Sequence, residues 1–172
     1  AISLSPMTLP GNHLSGVIYL DYLTFHGTTK KEPISIDAGF RSDSLAIATG
    51  RTIELELSSS GRFHLQGGLL TGSSKVQIGD IALNSEWRHD LESAQGQLSV
   101  NLPETRFSTG KTLSQIVKGL PINIVDGSVT ANMRLNWPED HKSQPVDRIH
   151  LRLNSVSATY GDIVAVGISS DL

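Results

Sequence analysis

The sequence predicts an all-β chain: a curved antiparallel β-sheet, shaped as a groove, a taco or an open sandwich, of about ten strands with one short helix near 112–120. Three observations carry this expectation. In residues 127–137, Val129, Ala131, Met133, Leu135 and Trp137 alternate with Ser128, Thr130, Asn132, Arg134 and Asn136. A strand turns successive side chains to opposite faces, so this stretch has one apolar and one polar face. Weaker copies of the alternation recur along the whole chain, between Gly- and Ser-rich stretches. Helical spacing occurs convincingly once, where Leu113, Ile116, Val117 and Leu120 follow Thr112 as a capping residue and Gly119 and Pro121 stop the run.

Taken in order, residues 1–13 read as irregular because of Pro6, Pro10 and Gly11. A strand from Leu14 to Phe25 has apolar residues on both faces, and Gly27 to Pro33 is a turn. Ile34, Ile36, Ala38 and Phe40 alternate until Asp43-Ser44, which reads as a turn before Leu45 and Ile47. Ile53, Leu55 and Leu57 read as facing Phe63, Leu65 and Leu69 across a Ser58–Gly61 turn, as a hairpin. Gly79-Asp80 separates Val76 and Ile78 from Ile81, Leu83 and Trp87 as a turn or a bulge. Leu98, Val100 and Leu102 form a strand that Pro103 ends. After the helix and the 127–137 strand comes a loop from Pro138 to Pro145. A long run follows through Ile149, Leu151, Leu153, Val156, Ala158 and Tyr160, and Gly161-Asp162 turns it into a last strand. Gly61, Gly96 and Gly127 read as the starts of three similar strands.

Composition narrows the function. The chain has 172 residues, 38% of them apolar and 18% charged, with sixteen glycines and no cysteine. That is enough for one domain, and the charged fraction is low for an enzyme. The net charge of -3 gives no basic footprint for nucleic acid. No apolar run reaches the roughly 20 residues of a membrane helix. The first residue is Ala and the last residues still read as strand, so residues 1–172 are expected to be a single β-rich segment of a longer protein.

Catalytic chemistry has no visible foundation. Ser108–Thr112 ends like a phosphate-binding loop, but position 105, where the first glycine would fall, is Thr. The six histidines lack metal-ligand spacing; His64 and His150 fall on polar strand faces and read as solvated. His89-Asp90 and Glu139-Asp140-His141 read as wet hairpin tips. Glu54 and Glu56 share a polar face on which no cleft is expected. The chain is therefore read as no enzyme, with no catalytic residue, no metal and no cofactor.

What remains is the apolar face. Its period-2 signal fits either the closed core of a β-sandwich that serves as an envelope interaction or ligand-binding module, or an open groove for a lipid chain. The candidate lipid-facing residues are Ile53, Leu55, Leu98, Val100, Val129, Met133, Leu135, Trp137, Leu151 and Leu153. The helix is placed to plug one end of the sheet.

From about Leu98 to Leu172 the chain resembles the C-terminal region of the YdbH proteins of Gram-negative bacteria, grouped with TamB and YhdP as AsmA-like. The resemblance lies in the helix Thr112-Leu-Ser-Gln-Ile-Val, the strand start Asp126-Gly-Ser-Val, Trp137 closing that strand, and the Ile149–Tyr160 run. It implies a periplasmic protein anchored in the inner membrane by an N-terminal helix, with a taco-shaped β-groove that passes phospholipid toward the outer membrane. Phospholipid or acyl chains, and other envelope proteins, are the implied partners. A dicarboxylate-transport label also attaches to the family; no Arg or Lys constellation in the sequence matches it, and it is set aside.

Overall fold

The computed structural model describes residues 2–9, 12–27, 34–49, 53–137 and 146–172, and side chains within 15–27, 34–46, 55–137 and 148–172. Ten strands follow one another: β1 (Ile2–Leu9), β2 (Asn12–His26), β3 (Ser35–Thr49), β4 (Ile53–Gln66), β5 (Leu69–Ile78), β6 (Ile81–Asp90), β7 (Gly96–Phe107), β8 (Ile122–Trp137), β9 (Val146–Tyr160) and β10 (Ile163–Asp171). One helix, α1 (Leu113–Ile116), separates β7 from β8. The strands make a single antiparallel meander in sequence order, β1 to β10. The first and last strands do not pair, so the sheet is open. Among the described residues it has no second layer, and the closed β-sandwich is not the architecture of this chain.

Paired residues share a face, so register assigns one face to each side chain. On β8 the alternation holds as expected. Leu135, Met133 and Ala131 lie opposite Leu98, Val100 and Leu102 of β7, while Ser99, Asn101 and Gln97 meet Arg134, Asn132 and Asn136 on the other face. The same apolar face continues through Trp87 of β6, Gly72 of β5, Phe63 of β4 and Ala38 of β3.

Several expected boundaries are instead irregularities inside long strands. Asp43-Ser44 does not turn the chain; it sits at a register shift between Ser42 and Leu45 within β3. The extra residue returns Leu45 to the apolar face, which strict alternation from Ile36 would have denied it. Pro103 does not end β7; a shift between Leu102 and Thr105 surrounds it, and the Thr105 hydroxyl donates to the Pro103 carbonyl at 3.0 Å. Proline lacks a ladder donor, and a bulge is where a sheet tolerates it. Ser58–Gly61 is not a turn, because β4 runs straight through it. The supposed hairpin partners Leu55 and Phe63 lie on one strand, and the β4–β5 turn is Gly67-Gly68, both at positive φ. Residues 2–9 are a strand and not irregular, with a shift spanning Pro6 on this edge strand. Gly79-Asp80 is a two-residue turn that pairs Ile78 with Ile81. The 28–33 and 138–145 segments, read as a turn and a loop, lie outside the described residues.

Glycines on this sheet make room for rings. Of the three read as strand starts, only Gly96 begins a strand. Gly96 lies opposite Trp137, Gly72 opposite Trp87, Gly61 opposite Phe40 and Gly39 opposite Tyr22. In each case a Cβ added to the glycine would collide with the facing ring. Gly127 answers a different demand. It takes φ +98 inside β8, and a Cβ there would meet the Ser155 carbonyl and the Val156 Cα at 2.7 Å. Ser155 is itself left-handed at φ 50. This irregularity moves β9 from Leu153 to Val156 without leaving the apolar face.

The core lies at the α1 end. The helix is one turn, shorter than the eight or nine residues expected. Gln115 Oε1 accepts from the Thr112 backbone N–H at 2.8 Å, and Gly119 at φ 85 reverses the chain. Leu113 and Ile116 pack on a cluster of Ile81, Phe107, Val129, Val156 and Ala158. Val156 is 2% exposed. The helix therefore closes one end of the apolar face.

The ring-on-glycine pairs predict a stability pattern. Gly72→Ala and Gly96→Ala force the facing indole to stand up or the strands to part, and each should cost about 1–3 kcal/mol in urea melts. Gly110→Ala, with nothing near its added Cβ, should stay within about 0.5 kcal/mol.

Candidate functional site: the open half of the apolar face

Away from α1, no helix or second sheet layer covers the apolar face among the described residues, although Ala38, between Leu23 and Phe63, is itself 0% exposed. Leu20, Leu23 and Phe25 of β2 pair with Phe40, Ala38 and Ile36 of β3, and all three are exposed. At the other side Met133 is 36% and Ile149 67% exposed, and they lie opposite one another. Between them Phe63, Leu65, Trp87, Leu98, Leu135 and Trp137 are half-buried. The face is continuous across the sheet because cross-strand partners on one face stand about 5 Å apart.

One polar group within it is satisfied internally. Trp137 Nε1–H donates to His89 Nδ1 at 3.1 Å, with the ring centres 5.9 Å apart. His89 is therefore a strand residue on the apolar face and not part of a hairpin tip. The tip belongs to Asp90, whose Oδ1 accepts from the Glu92 and Ser93 backbone N–H groups at 2.8 and 3.0 Å. Those N–H groups hold the Asp90 carboxyl below its ordinary range, Ser93 contributing most.

The ten candidate residues divide. Leu98, Val100, Met133, Leu135 and Trp137 form one contiguous patch across β7 and β8 in the open half. Leu151 and Leu153 sit opposite Ala131 and Val129 and pack against the α1 cluster, where Val129 is buried. These three line the closed end. Leu55 lies opposite Ile47 on β4, three strands from β7, and is half-buried. Ile53 pairs with Thr49, and its side chain lies outside the described residues. The β2 residues and Ile149 belong to the open face but were not among the candidates. Leu20 and Leu23 are out of phase with each other by a bulge, which hid the pattern; Ile149 was in phase and could have been found from the alternation of β9.

The polar face holds two surprises. Cavities of about 600 and about 840 Å³ open on it, the first lined by Asp37, Arg62, His64 and Arg88, the second by Asn101, Asn132, Arg134 and Arg148. A face expected to have no cleft thus has two recesses bordering it. Glu56 is exposed and lines neither, and the Glu54 side chain lies outside the described residues. The histidines read as free surface groups are also partnered. His64 Nδ1–H donates to Asp37 Oδ1 at 2.9 Å, His26 Nε2 approaches the other carboxylate oxygen at 3.3 Å, and His150 Nε2 meets Asp171 at 2.7 Å. Lys111 pairs with Asp80 at 3.6 Å, and the four-residue α1 offers no phosphate cradle.

The Asp37 bond, with a lesser contribution from Gln66, raises the His64 pKa above its ordinary value. A raised folded-state pKa stabilises the fold below the unfolded value and loses that effect as pH rises through the folded one. Urea midpoints of wild type and His64→Ala should therefore differ most near about pH 5.5 and converge by about pH 9. An equal gap at both pH values would show that the imidazole contributes only by packing.

No family model, curated protein or solved structure matches this chain.

Proposed function

We propose that the open half of the apolar face carries lipid acyl chains, and that the protein forms part of a phospholipid conduit between the membranes of a Gram-negative envelope. The observation that supports this is the apolar face of a single-layer sheet, with no second layer over it among the described residues and with Leu23, Phe25, Met133 and Ile149 exposed at its two sides. Soluble proteins seldom leave a contiguous apolar surface of this kind without a partner for it. An acyl chain suits it because each CH₂ removed from water contributes about 0.8 kcal/mol with no directional demand. A chain sliding along uniform apolar surface exchanges one contact for a like one, so no deep well traps it. With α1 closing one end, a chain lies from the open end toward the helix. The periplasmic setting, the inner-membrane anchor of the full-length protein and contacts with other envelope proteins are inferred from the resemblance to the YdbH proteins. The reading requires no catalytic group and no cofactor.

Trp87 and Trp137, the two tryptophans of the chain, both lie on this face and serve as built-in reporters. A fatty acid carrying a nitroxide should quench their fluorescence in a saturable way. Met133→Arg should remain folded by circular dichroism, since a half-exposed stem can reach the rim, while its affinity for the fatty acid falls. Full-length protein with the same change should fail to support cells that depend on this lipid route. Absence of quenching in wild type, or unchanged binding and full complementation by folded Met133→Arg, would sink the proposal. A tryptophan response to an added envelope protein, with none to the fatty acid, would favour an interaction module.

A further inference from the structure

We infer that the polar face carries a binding site for a phosphate-type oxyanion, built on Arg134 and Arg148. The two residues are direct cross-strand partners, one on β8 and one on β9. Like charges placed opposite one another destabilise a sheet unless something neutralises them. Three other arginines are neutralised, Arg41 by Asp21 at 2.9 Å, Arg106 by Glu104 at 3.2 Å and Arg152 by Asp171 at 3.0 Å; Arg62 and Arg88 are not, among the described residues, but neither has an arginine as its direct cross-strand partner. Arg134 and Arg148 have no carboxylate partner among the described residues. Along their ladder the next groups are Ser99 and then Glu86, whose backbone is two strands, about 10 Å, from that of Arg134; Glu86 lines the same cavity but forms no ion pair with either arginine.

The site is also a recess. Both arginines line the cavity of about 840 Å³, beside Asn101 and Asn132. Asn101 Nδ2–H donates to Asn132 Oδ1 at 2.6 Å, which orients the Asn132 amide nitrogen as a donor. Donors therefore converge here from three neighbouring strands. Each guanidinium is a planar fork that takes two oxygens at once. A carboxylate has two oxygens and saturates one fork, whereas a tetrahedral phosphate group has enough for both. The chain as a whole carries net charge -3, so the attraction is local to this pair. Val100, Met133 and Ile149 also border this cavity, but the arginines alternate with them along β8 and β9, and the inference does not require acyl-chain binding.

The test is thermal melting at low ionic strength with inorganic phosphate, against sodium chloride at matched ionic strength. Phosphate should raise the wild-type melting temperature beyond chloride, saturably. Arg134→Gln and Arg148→Gln should each weaken that response by about tenfold or more, and without phosphate each should melt at or above wild type because the repulsion is gone. Arg134→Lys, which keeps the charge but loses the fork, should fall between and provides the comparison if a Gln variant does not fold. Flotation with phosphatidylglycerol or phosphatidylcholine vesicles separates the sources of the group. Binding to phosphatidylglycerol alone that both Gln changes abolish assigns a lipid headgroup; a response to inorganic phosphate assigns a soluble ligand. The inference is overturned if phosphate does no more than chloride and neither vesicle binds, or if binding persists undiminished in both Gln variants.

Discussion

The structure depends on keeping face parity across one layer of β-sheet. Here a slip would move a whole apolar row to the polar face and leave a gap in the other. The register shifts are where this constraint is met. Between Ser42 and Leu45, between Leu102 and Thr105, and at Ser155, the chain inserts residues that bring the next apolar side chain back to the same side. Such bulges also bend and twist the strands that contain them. Parity and curvature thus come from the same few residues.

The two ends of the apolar face differ because only one has a lid. At one end α1, though a single turn, places Leu113 and Ile116 against residues from β6, β7, β8 and β9. That contact joins the main cluster of buried apolar side chains among the described residues. Toward the other end, large side chains would stand up from the sheet were it not for the glycines opposite them. With Gly72 and Gly96 lacking a Cβ, the indoles of Trp87 and Trp137 lie down across the neighbouring strand. The result is a low floor in place of a row of ridges.

Much of this was legible in the residues. The alternation of β8, the turns at Gly79-Asp80 and Gly161-Asp162, and the all-β character follow directly from period and turn chemistry. The errors share a cause. A phase break such as Asp43-Ser44, or a residue type such as Pro103, gives the same local signal whether the strand ends or bulges. Ser58–Gly61 looked like a turn by composition, yet its alternation never broke, and the unbroken phase from Leu55 to Leu65 was the better guide. The site was half legible: Leu98, Val100, Met133, Leu135 and Trp137 do share a patch. Which residues meet across strands is not written in a period of two, so the recesses beside the polar face and the opposed Arg134 and Arg148 emerge only once β8 and β9 are set side by side.

The unbroken strand order has a consequence for how the chain is made. Every ladder joins consecutive strands, so no pairing waits for a distant part of the sequence. A polypeptide arriving N-terminus first can add β2 to β1, β3 to β2, and so on, each new strand docking on an edge that already exists. The growing edge is its own template, and the helix after β7 waits for β8 and β9, which supply Val129, Val156 and Ala158 beneath it. Such a sheet assembles like a ribbon being laid down, and losing a strand from either margin shortens it without unravelling the rest.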